Sequence, residues 1–332
     1  MNAAASMAGT AAAARAGAID LAVRIGSLEL RNPVMPASGT FAEGLEQVMD
    51  FNRLGALVTK TITRELRDGN PLPRVVERPN SLINAIGIPS KGVPDFIEKT
   101  MAHYAHYQTP LVVSISAPTA EGFASLAREL TIPGVAVIEA NISCPNIEED
   151  GQAFAMRAEP TEKVTRELRA ATPLPLWVKL TPNTGEMPDI ARAAEAAGAD
   201  AVVVANTILS MAIDLKTFKP CLGNIMGGLS GPAVKPIILR HVFQCARAVK
   251  IPVIGCGGIS TAEDAVEYML AGASAVQVGT ATFLQPAAMT TIVDGLERFC
   301  LVREIPRVAD LIGGVVIEEA DEPDVAWLNP VT

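Results

Sequence analysis

The sequence is short of what a metal centre needs. Its five cysteines (Cys144, Cys221, Cys245, Cys256 and Cys300) are odd in number, widely spaced and contain no C-x-x-C. Such a pattern suits a reducing cytoplasm and argues against an intrinsic zinc or iron–sulfur site. Three histidines, with no H-E-x-x-H and no acidic metal loop, leave little else to hold a metal. Basic charge is also scarce. Lys plus Arg number 27 against 36 Asp plus Glu, a net charge of −9, which removes nucleic acid as a main partner. Despite a mean hydropathy of +0.29, long apolar runs are missing. The longest candidate, Ala201 to Ile213, is broken by Asn206, Thr207 and Ser210, well short of the roughly 20 residues that span a bilayer. Aromatics make up only 4%.

What is present is aliphatic. Of the 332 residues 49% are hydrophobic and 19% charged, enough for a large core and too apolar for disorder. Ala, Val, Ile and Leu carry that mass, as buried parallel strands and packed helices require. The first 18 residues hold ten alanines and one arginine and read as a flexible extension rather than a targeting peptide. We expect one domain over 19–315 and a C-terminal tail over 316–332.

Leu21–Ile25 and Leu28–Leu30 alternate apolar and polar around Gly26-Ser27, a hairpin signal. Short apolar runs follow at Pro33–Ala37, Ala56–Ile62, Leu111–Ser116, Val135–Ser143, Leu176–Leu180, Ala201–Asn206, Ile251–Gly255 and Ala275–Gly279. Helical patterns separate them, clearest at Ala120–Leu130, Thr161–Ala171, Met187–Ala197, Val234–Val249 and Thr261–Ala271. Gly55, Gly198 and Gly272 each sit between a helix end and a strand, where a left-handed residue is expected. Eight strands with interleaved helices predict a (β/α)8 TIM barrel with an N-terminal β-hairpin. A doubly wound open sheet is the other reading. Two long connections, Thr63 to Thr109 and Thr207 to Lys250, are expected as long loops over the C-terminal face.

Polar residues end the strands: Lys60, Ser114 and Ser116, Asn141 to Cys144, Lys179, Asn206-Thr207, Gly255 to Gly258, and Gly279-Thr280. Any one of them could be an ordinary loop residue or solvated lysine. Together they would converge on the face where barrel chemistry occurs. Gly255-Cys-Gly-Gly258, Gly279-Thr280 and Ser230-Gly231-Pro232 suit a phosphate site, because glycine lets backbone N–H groups approach an anion near a helix N-terminus.

Pro36-Ala-Ser-Gly39, Asn84-Ala-Ile-Gly87, Asn141-Ile-Ser-Cys-Pro-Asn146, Trp177-Val-Lys-Leu-Thr-Pro-Asn183, Asp214-Leu-Lys-Thr217, Gly227-Gly-Leu-Ser-Gly-Pro232 and Gly255-Cys-Gly-Gly258 resemble the dihydroorotate dehydrogenases, in order from about Leu21 to Gly295. Cys144, in the third of these motifs, makes class 1 the nearer likeness, most of all the class 1B (NAD-dependent) catalytic subunit.

The resemblance implies an FMN-binding barrel that oxidises (S)-dihydroorotate to orotate in pyrimidine biosynthesis. Cys144 would be the general base, with hydride passing to flavin N5. Lys60 would contact both flavin and substrate. Asn84, Ile86, Gly87, Ile88, Asn141, Asn146, Asn206 and Thr207 would bind substrate, the carboxamides suiting a cyclic ureide because they both donate and accept. Ala37, Ser38, Lys60, Asn141, Lys179, Ala205, Gly231, Gly257, Gly258, Gly279 and Thr280 would hold the cofactor. Implied partners are a second copy of the chain and an electron-transfer subunit with FAD and [2Fe–2S]. This sequence departs from the pattern at Glu148-Glu149-Asp150, acidic beside an anionic substrate, and at Ile88, where leucine is expected. Other functions compatible with such a barrel are an FMN enzyme for another dihydropyrimidine, a non-catalytic flavoprotein subunit, and an aldolase-like phosphate-binding barrel using Lys179 or Lys60 as a Schiff base.

Overall fold

A computed structural model describes residues 19–143 and 153–317. The chain starts with the hairpin of β1 (Val23–Ile25) and β2 (Leu28–Leu30), turned at Gly26 with φ +60°. Val23, Ile25 and Leu30 are buried, and Gly26 lies against Asp200, which precedes a barrel strand. The hairpin therefore closes the N-terminal mouth of the barrel, opposite the strand ends that carry the polar residues.

The remaining strands, in chain order, are β3 (Val34–Pro36), β4 (Leu57–Val58), β5 (Val75–Arg78), β6 (Ser81–Asn84), β7 (Leu111–Ile115), β8 (Val137–Asn141), β9 (Leu176–Lys179), β10 (Ala201–Val204), β11 (Ile208–Met211), β12 (Ile213–Asp214), β13 (Lys219–Pro220), β14 (Met226–Ser230), β15 (Val253–Cys256) and β16 (Ala273–Val278). Eight of them form one parallel sheet in the order β3-β16-β15-β10-β9-β8-β7-β4. Its two ends meet where Gly55 N–H donates to the Val34 carbonyl at 2.8 Å. A curled sheet with that seam is a (β/α)8 barrel and not the doubly wound alternative. Its strands are buried on both faces, which is why they read as aliphatic runs.

Helices α1 (Ala120–Glu129), α2 (Ala158–Ala171), α3 (Met187–Ala196), α4 (Lys235–Ala248), α5 (Ala262–Leu270) and α6 (Ala288–Val302) alternate with the strands. Each buries its apolar stripe against the sheet. No helix among the described residues is long and apolar enough to cross a membrane.

Of the three junction glycines, Gly198 (φ +96°) and Gly272 (φ +109°) have the expected positive φ. Gly55 does not. A Cβ there would stand 2.0 Å from the Asn32 carbonyl oxygen, so this position needs glycine for close approach at the seam rather than for handedness. Gly55→Ala should destabilise the protein by about 2–3 kcal/mol, as overpacking against unyielding backbone does. Urea unfolding measures this directly, and a variant as stable as the parent would contradict the seam's tightness.

The two long connections are not merely loops. They supply the strands of a four-stranded antiparallel sheet ordered β11-β14-β6-β5. These strands are short, half-exposed and, in β14, glycine-containing, so they lack the apolar signature of the barrel strands.

Candidate active site

The C-terminal strand ends gather three groups of residues. The first is a set of carboxamides. Asn141 ends β8 and is buried. Ser143 Oγ donates to Asn141 Oδ1 at 2.6 Å and accepts from Asn206 Nδ2 at 2.6 Å, so one hydroxyl ties the ends of the fourth and sixth barrel strands together. Asn206 Oδ1 accepts from Thr207 N–H at 2.8 Å. Asn183 steadies the same turn, donating to the Thr207 carbonyl at 3.1 Å and accepting from Leu209 N–H at 2.7 Å. Asn84 reaches it from β6, with Nδ2 donating to the Gly228 carbonyl at 3.2 Å. Gly228 in turn lies so close to Thr207 that a Cβ would fall 1.9 Å from Thr207 Oγ1. The Asn84-to-Ile88 segment turns sharply at Gly87 (φ +79°) and Ile88 (φ +50°), held by Arg67 Nε on the Gly87 carbonyl at 2.7 Å. A β-branched residue at positive φ is strained, and such strain clusters at binding sites.

The second group is cationic. Lys60 is half-buried beyond β4, with Nζ 3.4 Å from the Gly39 carbonyl, and burial holds its ammonium below the ordinary lysine range. Lys179 ends β9 at 4% exposure and donates to Gln277 Oε1 at 2.9 Å and to Cys256 Sγ at 3.5 Å.

The third group is a glycine corner joining the last strands to the first. Gly231, Gly257 and Gly258 have φ of +97°, +147° and +73°. Gly279 packs against Ala37, whose N–H donates to the Val278 carbonyl at 2.8 Å, and Ser38 next to it is buried. Thr280 Oγ1 donates to Ser230 Oγ at 2.8 Å, bringing Gly231 alongside. The N–H groups of Gly231, Gly257, Gly258, Gly279 and Thr280 find no acceptor among the described residues. A ring of unspent backbone donors on half-buried glycine loops can hold a phosphate. The start of α5 is not part of it. Asp264 accepts the Ser260 and Thr261 N–H groups in a capping box, so this helix end is satisfied from within and the loops alone supply the donors.

The dihydroorotate dehydrogenase family model matches residues 20–300, most of the chain. The chain belongs to the dihydroorotate dehydrogenase family. It is 48% identical over 298 residues to the dihydroorotate dehydrogenase B (NAD(+)) catalytic subunit of Desulforamulus reducens, covering 89% of this chain and 98% of that one. The subunit of the same name from Thermoanaerobacter sp. is 44% identical over 302 residues (90% and 100%), and that from Bacteroides thetaiotaomicron 44% over 301 (90% and 99%).

For a dihydroorotate dehydrogenase family member, the sequence-derived site residues fall as follows. Asn84, Asn141, Asn206 and Thr207 are linked through shared hydrogen bonds or close packing. Ile86, Gly87 and Ile88 form the strained turn after β6. Ala37, Ser38, Gly231, Gly257, Gly258, Gly279 and Thr280 lie on the glycine corner or beside it. Lys60, Lys179 and Ala205 stand at barrel strand ends, Ala205 N–H donating to the Cys256 carbonyl at 3.0 Å. Cys144 and Asn146 lie outside the described residues, as does Glu148-Glu149-Asp150.

Sequence reasoning passed over Ser143, Asn183, Cys256, Gln277 and Glu139 as site residues. Ser143 sat inside a motif already singled out. Glu139 and Gln277 had a signal, each being polar two residues before a strand-end position and therefore on the same strand face.

Proposed function

We propose that this chain oxidises (S)-dihydroorotate to orotate, with FMN as its resident cofactor and Cys144 as the base that takes a proton from the ring carbon. The observation that carries the reading is the linkage of Asn84, Asn141, Asn206 and Thr207 by hydrogen bonds and close packing at the barrel face whose strand ends also carry Lys60 and Lys179. Carboxamides match the alternating N–H and C=O edge of the ureide ring, and a cation beside them suits the substrate carboxylate.

The donor set fits FMN. The unspent N–H groups of Gly231, Gly257, Gly258, Gly279 and Thr280 suit its phosphate, and Ala37, Ser38, Ala205, Asn141, Lys60 and Lys179 would line its ring. FMN, when bound, supplies the acceptor for the hydride on the carbon next to the deprotonated one. The protein's part is to orient the ureide, exclude water and keep charge where it is needed. Cys144 acts as its thiolate, since the thiol itself is a poor base with a usual pKa of about 8.5. Lys179 brings a positive charge to the ring, which favours electron uptake.

The relatives are named as catalytic subunits, and the described cysteines stand apart as free thiols. We therefore assign NAD as final acceptor through a separate subunit with FAD and a [2Fe–2S] cluster, a homodimeric catalytic core and a cytoplasmic setting.

The purified chain should be yellow, and anaerobic dihydroorotate should bleach it. Bound FMN that survives excess dihydroorotate unbleached would sink the substrate assignment. Reoxidation tested with NAD, with and without the partner subunit, and with fumarate identifies the acceptor.

A further inference from the structure

Inside the barrel, below the site, lies a buried carboxyl group that the reaction as described does not use. Glu139 stands in the middle of β8 with 0% exposure. Its Oε2 accepts from Gln277 Nε2, and Gln277, also 0% exposed, accepts from Lys179 Nζ at 2.9 Å through its other side-chain atom. The strands concerned, β8, β16 and β9, do not run in sequence around the sheet, where β15 and β10 separate β16 from β9. The Lys179–Gln277 bond therefore crosses the lumen. Glu139 Oε1 has no hydrogen-bond partner among the described residues, so no second donor neutralises the carboxylate.

We propose that Glu139 is a positioning residue, acting through Gln277 to keep the Lys179 ammonium charged and aimed at the C-terminal face. This rests on the reading of Lys179 as the flavin-side cation. Burial alone would strip Lys179 of its proton, yet its pKa lies above the ordinary lysine value because Cys256 and Glu139 outweigh the desolvation. Of these two, Cys256 has its own thiol pushed up by burial, with the Lys179 charge acting in the opposite direction. The groups around Lys179 are Glu139 and Asn141 on β8, Val203 on β10, Cys256 on β15 and Gln277 on β16, with Lys60 as the other strand-end cation. Among them Glu139 is the one carboxyl group. A buried lysine without it would follow the usual course and lose its proton near neutrality.

The test is Glu139→Gln, which keeps shape and hydrogen-bonding capacity while removing the charge. Lysine-specific ¹³C NMR of the flavin-loaded protein, with Lys179→Met to assign the signal, reads the titration directly. In the parent, Lys179 should stay protonated beyond pH 10. In Glu139→Gln its midpoint should fall by about 2 pH units or more. Between pH 6 and 9 the flavin of this variant should lose about tenfold to a hundredfold in preference for the reduced over the oxidised form, a potential drop of about 30–60 mV that the parent does not show. Gln277→Leu, which cuts the bridge but leaves both charges, should shift the midpoint less, and serves if Glu139→Gln does not fold. An unmoved Lys179 titration in a folded Glu139→Gln protein overturns the proposal. The NMR readout needs no substrate, so it is independent of whether dihydroorotate bleaches the flavin.

Discussion

Cys144→Ala should slow flavin reduction by dihydroorotate about 10²–10⁴-fold at neutral pH while leaving orotate binding within a few-fold of the parent. The size is that of a positioned general base, about 3–5 kcal/mol of barrier. Binding survives because the ureide contacts are assigned to the carboxamide and hydroxyl groups of Asn84, Asn141, Asn206 and Thr207, which the substitution leaves in place. In the parent, the reduction rate should rise with pH as the thiol ionises and level off above its pKa. Cys144→Ser should restore part of the activity with the rise displaced upward, because a hydroxyl gives up its proton less readily. Anaerobic stopped-flow on the alanine variant decides the matter. A parental rate removes Cys144 from the chemistry, and a joint loss of orotate binding makes its role structural.

Acid should weaken the fold through His241 by about 3 kcal/mol between pH 6.5 and pH 4. His241 is buried on α4 at 2% exposure, its Nε2 is 2.9 Å from an Arg240 nitrogen, and its Nδ1 has no partner among the described residues. Burial, helped by the Arg240 charge, lowers its pKa to about 4. The unfolded chain has the ordinary value of about 6.5, so between the two pH values only the unfolded state takes the proton. Stability is therefore complete above pH 6.5 and falls as pH falls toward 4, at up to about 1.4 kcal/mol per unit. His241→Leu should flatten this part of the profile. Urea unfolding of both proteins at pH 7.5, 6, 5 and 4.5 isolates it, since the carboxylates titrate alike in both. Parallel profiles would show that His241 takes its proton in the folded state.

The barrel was legible because each of its strands is covered on both faces and carries a mainly aliphatic signal, most of them ended by a polar residue or glycine. Lys60, Asn141, Lys179 and Asn206 stood out for that reason. The sheet above the barrel was not legible. Ser81–Asn84 pairs with Met226–Ser230, far away in sequence, and short half-exposed strands have no period strong enough to register. Gly55 was misread because a contact with Asn32 across the seam leaves no local trace. Asp264 was missed as a cap that withdraws the α5 terminus from anion binding, although the Thr261–Asp264 spacing carried the signature. Glu139 and Gln277 were hidden by the strand's aliphatic context, since one polar residue in a buried run reads as noise until its partner across the lumen is known.

The antiparallel sheet over the site has a consequence for recombination between relatives. Asn84 pairs with Gly228 in register, and Gly228 leaves no room for a side chain against Thr207. The two segments, 63–109 and 207–234, are thus halves of a single inherited unit, although Asn84 and Gly228 stand 144 residues apart. A chimera that takes one segment from a distant family member should keep its barrel and lose ureide recognition, and exchanging both together should return it.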